Sequence, residues 1–288
     1  MRSSNFRLFK KQMGQANHFL ITILIGLDAV KNGAKKEEEF NACWNPESIE
    51  SSVSRSKKFA INSALSWSVD NLDMYLRLCN REPKLYPEEE SIEIAKTKHS
   101  VYKKFNCIIN NHTVFSEIQK AFVDLLICWR NNMVHFDAEN QLLQSSQNYF
   151  KNIPKDDVVI TKYHLNVDEM LERFHNGKSP TFKEITTMIS MTIHFVESLD
   201  DVLISNVNQK VYLRALLYKE YHENTEKVTE FLRFKNCSIE KKKKKLKQFF
   251  ITRGTNEDFY NDDGIDYIDT ISAMSASEII EDITSHQN

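Results

Sequence analysis

Apolar residues recur three and four positions apart over most of this chain, which is the repeat of one helix face. Phe6, Phe9, Met13, Ala16, Leu20, Ile23, Leu27 and Val30 follow it and predict a first helix over residues 5–32. Ile21, Leu24 and Ile25 widen the stripe in the second half, which predicts burial there on two sides. Gly33-Ala34 and the charged stretch after it end the helix. Trp44 and Asn45-Pro46 lie in a loop. A second helix is predicted over 52–80. Ile61, Leu65, Val69, Leu72 and Leu76 form its apolar face, and Ser66, Asp70, Asp73 and Arg77 a polar one. Asp73 and Arg77, four apart, have the spacing of a surface ion pair.

Pro83 and Pro87 break that helix. A short basic helix over 91–105 and a connector over 106–113 follow. The third long helix begins near Thr113 and runs through Phe115, Ile118, Phe122, Leu125, Leu126 and Trp129. Residues 138–160 are polar and aromatic and are predicted to be irregular. Asn166 to Glu169 reads as a capping box, opening a short helix that Gly177 stops. Ser179-Pro180 starts the fourth long helix by the cap-then-proline rule, carried on by Phe182, Ile185, Ile189, Phe195, Val196, Leu199, Val202 and Leu203. The expectation is an all-α protein: a four-helix bundle over 1–205, a basic helical extension over 206–252 and an acidic, mobile tail over 253–288 with a short terminal helix from Ser277.

Composition sharpens this picture. Six Gly and five Pro in 288 residues leave little turn chemistry, which favours long helices. The net charge of −2 hides an asymmetry. Nine of the 40 acidic residues lie after residue 253 with no Lys or Arg among them, which leaves 31 against 38 basic residues before that point. Lys241, Lys242, Lys243, Lys244 and Lys245 form a run suited to a phosphate backbone, and a solvated helix end explains the same run. The acidic tail is a candidate cover for these lysines. Five cysteines form no C-x-x-C pair, which fits a reduced, cytoplasmic protein. The apolar run Phe19 to Leu27 is too short to span a bilayer and precedes no A-x-A cleavage site, so no membrane partner is expected.

The chemistry concentrates at the end of the third helix. Arg130 is a permanent cation with a planar fork that fits a phosphate. His135 is of the one side-chain type that ordinarily changes charge near neutral pH. Asn131 and Asn132 lie between them, and Val134 and Phe136 flank the histidine. Cys128 sits among Ile127 and Trp129 and reads as an inert buried thiol. The chain holds no G-x-x-x-x-G-K-[ST] loop, H-E-x-x-H, G-x-S-x-G or zinc-spaced Cys/His set, so no metal or cofactor is expected.

Arg130-Asn131-x-x-x-His135 after an apolar helix resembles the signature of the HEPN-type ribonucleases. The resemblance implies a helical bundle that dimerises with the motif in a cleft on the two-fold axis, and a metal-independent endoribonuclease that uses the RNA 2′-hydroxyl. His135 would move the proton, Arg130 hold the phosphate, and Asn131 position either one. The resemblance also implies a toxin or antiviral-defence role on tRNA or mRNA, with an antitoxin, regulatory protein or activating ligand as restraint. Asp70 or Asn71 on the second helix is the candidate support for the catalytic pair. Five residues at about 100° each place Arg130 and His135 roughly 140° apart on a regular helix. Either the helix loosens at Asn131-Asn132, both weak helix formers, or two chains share the site. The alternative function is a non-catalytic helical module that binds RNA or protein.

Overall fold

The predicted long helices form within a few residues of their expected ends: α1 (Ser4–Lys31) and α2 (Ile49–Cys79). The computed structural model describes residues 2–35, 43–134, 140–154, 157–253, 255 and 259–285. Among these, the elements that follow are α3 (Glu88–Lys96), α4 (Val101–Asn111), α5 (Glu117–Val134), α6 (Gln144–Asn152), α7 (Val158–Tyr163), α8 (Val167–His175), α9 (Phe182–Asn206), α10 (Gln209–Glu223), α11 (Thr225–Leu232), α12 (Ile239–Thr252), α13 (Asp262–Ala273) and α14 (Ala276–Ser285). The protein is all-α.

Local chemistry sets several boundaries. Asn166 caps α8 by accepting from Glu169 N, and Gly177 follows at φ +62°, as the capping-box and stop signals require. α9 starts two residues later than the proline signal suggests. Thr181 and Glu184 exchange bonds there: Thr181 N donates to Glu184 at 2.7 Å and Glu184 N to Thr181 Oγ1 at 3.3 Å. The basic helix predicted over 91–105 is two helices, α3 and α4, divided near Ser100, whose side chain caps α4. The irregular stretch predicted over 138–160 contains α6, with Phe150 buried, and the start of α7.

Two units make up the chain. One spans residues 9–74 and 100–196 and holds Arg130. Its core includes Phe105, Phe115 and Phe195, with ring centroids 5.6 Å (Phe105–Phe195) and 4.1 Å (Phe115–Phe195) apart. Burying each such ring contributes on the order of 1.5–3 kcal/mol. Trp129 is buried against Phe174 and donates Nε1–H to the Lys178 carbonyl at 2.9 Å. Lys104, almost wholly buried on α4, gives its ammonium to Asp73 of α2 at 2.8 Å. Spacing along α2 alone does not disclose that partner.

The other unit spans residues 1–8, 75–99 and 197–288. It corrects the picture of a separate basic extension followed by a mobile tail. α10 packs on α11, α13 and α14, and α12 packs on α13. Tyr267, Ile268, Ile271, Ile279 and Ile283 of the expected tail are buried. Arg214 of α10 pairs with Asp282 of α14 at 2.9 Å. Asp200 is buried too, accepting from the Ser3 backbone N–H at 2.7 Å and the Tyr75 hydroxyl at 3.0 Å.

The second half of α1 departs from its expected burial on two sides. Ile23 is 47% exposed and Ile25 65%. By length and composition α1 is apolar enough to cross a membrane, with 17% of its most apolar stretch buried. A wide apolar stripe records a capacity for burial, and intrachain neighbours use only part of it here.

Candidate active site

α5 is an apolar rod for most of its length, with every residue from Ala121 to Trp129 buried. The rod delivers Arg130 to the surface in its last turns. Arg130 keeps 21% of its side chain exposed, and its Nη2 donates to Asp70 of α2 at 3.1 Å. Its Nη1 donates to the Asn131 side-chain carbonyl at 3.2 Å. Its Nε is buried with no hydrogen-bond partner among the described residues. The guanidinium is thus held from two sides, by a carboxylate on a neighbouring helix and by the next side chain along its own.

Three residues singled out in the sequence therefore come together: Arg130, Asn131 and Asp70. Asn71 does not join them. It is buried and donates to the Trp67 carbonyl one turn back along α2, at 2.8 Å. Asp70 is 66% exposed, so its pairing with Arg130 contributes little to stability, about 0–1 kcal/mol, and solvated anions can compete for the cation. His135 lies outside the described residues, as does Phe136.

The helix does not loosen at Asn131-Asn132; α5 continues through Val134. Packing overrides the weak propensity of two asparagines whose side chains find partners. Asn132 Nδ2 donates to the Asn140 carbonyl at 3.2 Å, and Asn140 N donates back to Asn132 Oδ1 at 2.9 Å. This reciprocal pair ties the end of α5 to the chain that returns at residue 140. Asp124 holds the same return from inside, accepting from Leu143 N at 2.8 Å. It has no solvent exposure, and burial raises its carboxyl above the usual range against bonds from Ser146, Leu143 and Cys128. The Cys128 thiol lies 3.6 Å from Asp124 Oδ1 and is pushed up by burial and by that carboxylate, so it supplies no nucleophile. Asn132 and Asp124 were not recognisable as support in the sequence, because their role depends on where the chain comes back.

The five lysines occupy the first half of α12 in the other unit. Consecutive positions wind right around a helix, and their environments differ accordingly. Lys241, Lys244 and Lys245 are exposed. Lys242 sits over the Phe234 ring at 5.7 Å, and Lys243 pairs with Asp269 of α13 at 2.9 Å. Among the described residues, no group of three His, Cys, Asp or Glu side chains is placed to hold a metal ion.

No protein-family model, no curated protein and no solved structure matches this chain.

Proposed function

We propose that the chain is a metal-independent endoribonuclease of HEPN type whose site is built around Arg130. The observation that carries this reading is the environment of that guanidinium. It stands at the exposed end of a buried helix, five residues before His135, with Asp70 and Asn131 fixing its fork. A fork so fixed meets a phosphate with little reorganisation. His135 takes the proton of the RNA 2′-hydroxyl or protonates the leaving 5′-oxygen. The products are a 2′,3′-cyclic phosphate and a 5′-hydroxyl end, and DNA resists.

The proposed assembly is a homodimer in which Arg130 of one copy works with His135 of the other, and its support is that the helix does not loosen at Asn131-Asn132. The exposed lysines of α12 are the proposed contact to the RNA backbone, and Asp269 restrains Lys243 until RNA competes. The proposed setting is cytoplasmic, in antiviral defence or a toxin–antitoxin pair, with tRNA or mRNA as target. A non-catalytic RNA-binding or protein-binding module is the second reading; Asp70 favours it, because it neutralises Arg130.

Purified protein incubated with total RNA in EDTA separates the two. Wild type is expected to give discrete fragments with cyclic phosphate ends, and Arg130→Ala and His135→Ala none, all three keeping the same helical circular dichroism. Fragments from either variant at the wild-type rate overturn the catalytic assignment.

A further inference from the structure

The unit that does not contain Arg130 has two cavities that meet at one arginine. The first, of about 610 Å³, is lined by four cations: Arg7 of α1, Arg81 after α2, Lys219 of α10 and Arg253 at the end of α12. Glu82 and Glu220 are the carboxylates on its wall, so the cations outnumber them. Neither Arg81 nor Lys219 forms an ion pair among the described residues. Tyr212 forms part of the same wall. It is 4% exposed, and its hydroxyl has no hydrogen-bond partner among the described residues. The hydroxyl of a residue that lines a cavity, with no protein partner, is a group that a ligand can bond.

The second cavity, of about 560 Å³, shares Glu220, Thr252 and Arg253 with the first. Its character is different: Val228, Phe231 and Phe249 line it, with Lys227 and Lys245 beside them. Phe231 and Phe249 are stacked, with centroids 4.9 Å apart and planes 21° apart. Arg253 lies over Phe249 with its guanidinium carbon 3.6 Å from the ring centroid, and its Nη2 donates to Glu220 at 2.8 Å. Its position between a cationic cavity and an aromatic one is therefore held by a ring and a carboxylate.

We propose that these two cavities form one binding site for a nucleotide. The phosphates enter the cationic cavity, where Arg7, Arg81 and Lys219 neutralise them and Tyr212 donates its hydroxyl. The base enters the aromatic cavity and packs on Phe231. Arg253 reads the junction. Each cavity has the volume range of a small-molecule site, and a ligand with an anionic end and a planar aromatic end is the class that fits both. Arg130 lines neither cavity, and Lys245 is the residue that the aromatic cavity shares with the proposed RNA contact.

Calorimetric titration of the full chain with ADP, GDP, CDP and UDP, and separately with pyrophosphate and adenosine, tests the site. At least one nucleoside diphosphate is expected to bind about tenfold or more tightly than pyrophosphate or adenosine, since only it fills both cavities. Arg81→Ala combined with Lys219→Ala, at two exposed positions, is expected to weaken it by about tenfold or more and leave the melting temperature of the free protein unchanged. Tyr212→Phe weakens it with a smaller factor. Arg130→Ala binds as wild type does, whether or not it cleaves RNA. Absence of binding by all four diphosphates at millimolar concentration overturns the proposal, as does wild-type affinity in the Arg81/Lys219 double variant. Pyrophosphate binding as tightly as the best nucleotide overturns the assignment of the base to the aromatic cavity.

Discussion

Asp124 is a carboxyl enclosed in the same helix that presents Arg130, and its protonation couples to stability in a direction that can be fixed. Burial raises its pKa in the folded protein above the ordinary value. In the pH range above that ordinary value the folded state therefore holds more protons than the unfolded chain. Stability from this group falls as pH rises through the range and returns as pH falls. Asparagine keeps a carbonyl acceptor for the Leu143 N–H and carries no titrating proton. Urea denaturation at pH 7, 5.5 and 4 should show wild type gaining on Asp124→Asn as the solution is acidified, by at most about 1.4 kcal/mol per pH unit. Parallel pH profiles of the two proteins would mean that the buried carboxyl ionises as freely folded as unfolded.

At the scale of elements, the start of α13 depends on a missing side chain. Gln209 of α10 accepts from Asn261 N at 2.9 Å through Oε1 and donates its amide to the Phe259 carbonyl. Gly264, in the first turn of α13, faces that amide, and a Cβ there would collide with Gln209 Oε1. Gly264→Ala is expected to cost about 1–3 kcal/mol by displacing Gln209, although alanine is the better helix former by about 1 kcal/mol. In a Gln209→Ala background the same change should cost nothing or stabilise. A double-mutant cycle of thermal unfolding reads the difference, and an equal cost in both backgrounds would place the strain elsewhere. The sequence pattern exposes the elements unevenly for the same kind of reason. α1, α2, α5 and α9 are long enough for apolar spacing to stand out. α13 and α14 carry the same spacing in Tyr267, Ile271, Ile279 and Ile283, and α14 opens with a capping box between Ser275 and Glu278. Nine acidic residues without a compensating lysine made that segment look like a solvated tail, because a charge count does not see which face the charges occupy. At the candidate site, Asp70 was visible as part of a polar face of α2. The bonds from Asn132 to Asn140 and from Asp124 to Leu143 were not, since they arise only where a chain of unknown path returns.

At the scale of the whole molecule, α1 leaves apolar side chains uncovered within a single chain. Phe19 and Ile23 on one flank of α1, and Ile21 and Ile25 on the opposite flank, are all exposed, and a helix with apolar side chains uncovered on both flanks has burial capacity left over. The homodimer proposed for the Arg130 site supplies a cover of the right chemistry, a second copy of the same helix, as an isologous contact requires. Sedimentation velocity is expected to give a dimer of the 33.7 kDa chain at micromolar concentration. Ile21→Asp combined with Ile25→Asp, both at exposed positions, should give a monomer with unchanged helix content. Mixing then tests the site itself. If Arg130 of one chain works with His135 of its partner, Arg130→Ala and His135→Ala proteins are each inactive alone. Together they form heterodimers with one intact composite pair, so cleavage should return to about half the wild-type rate or less. A wild-type monomer at every concentration would remove the dimer, and with it the shared site proposed for Arg130 and His135. A dimer whose mixed variants stay inactive would keep the interface and place both catalytic residues in one chain.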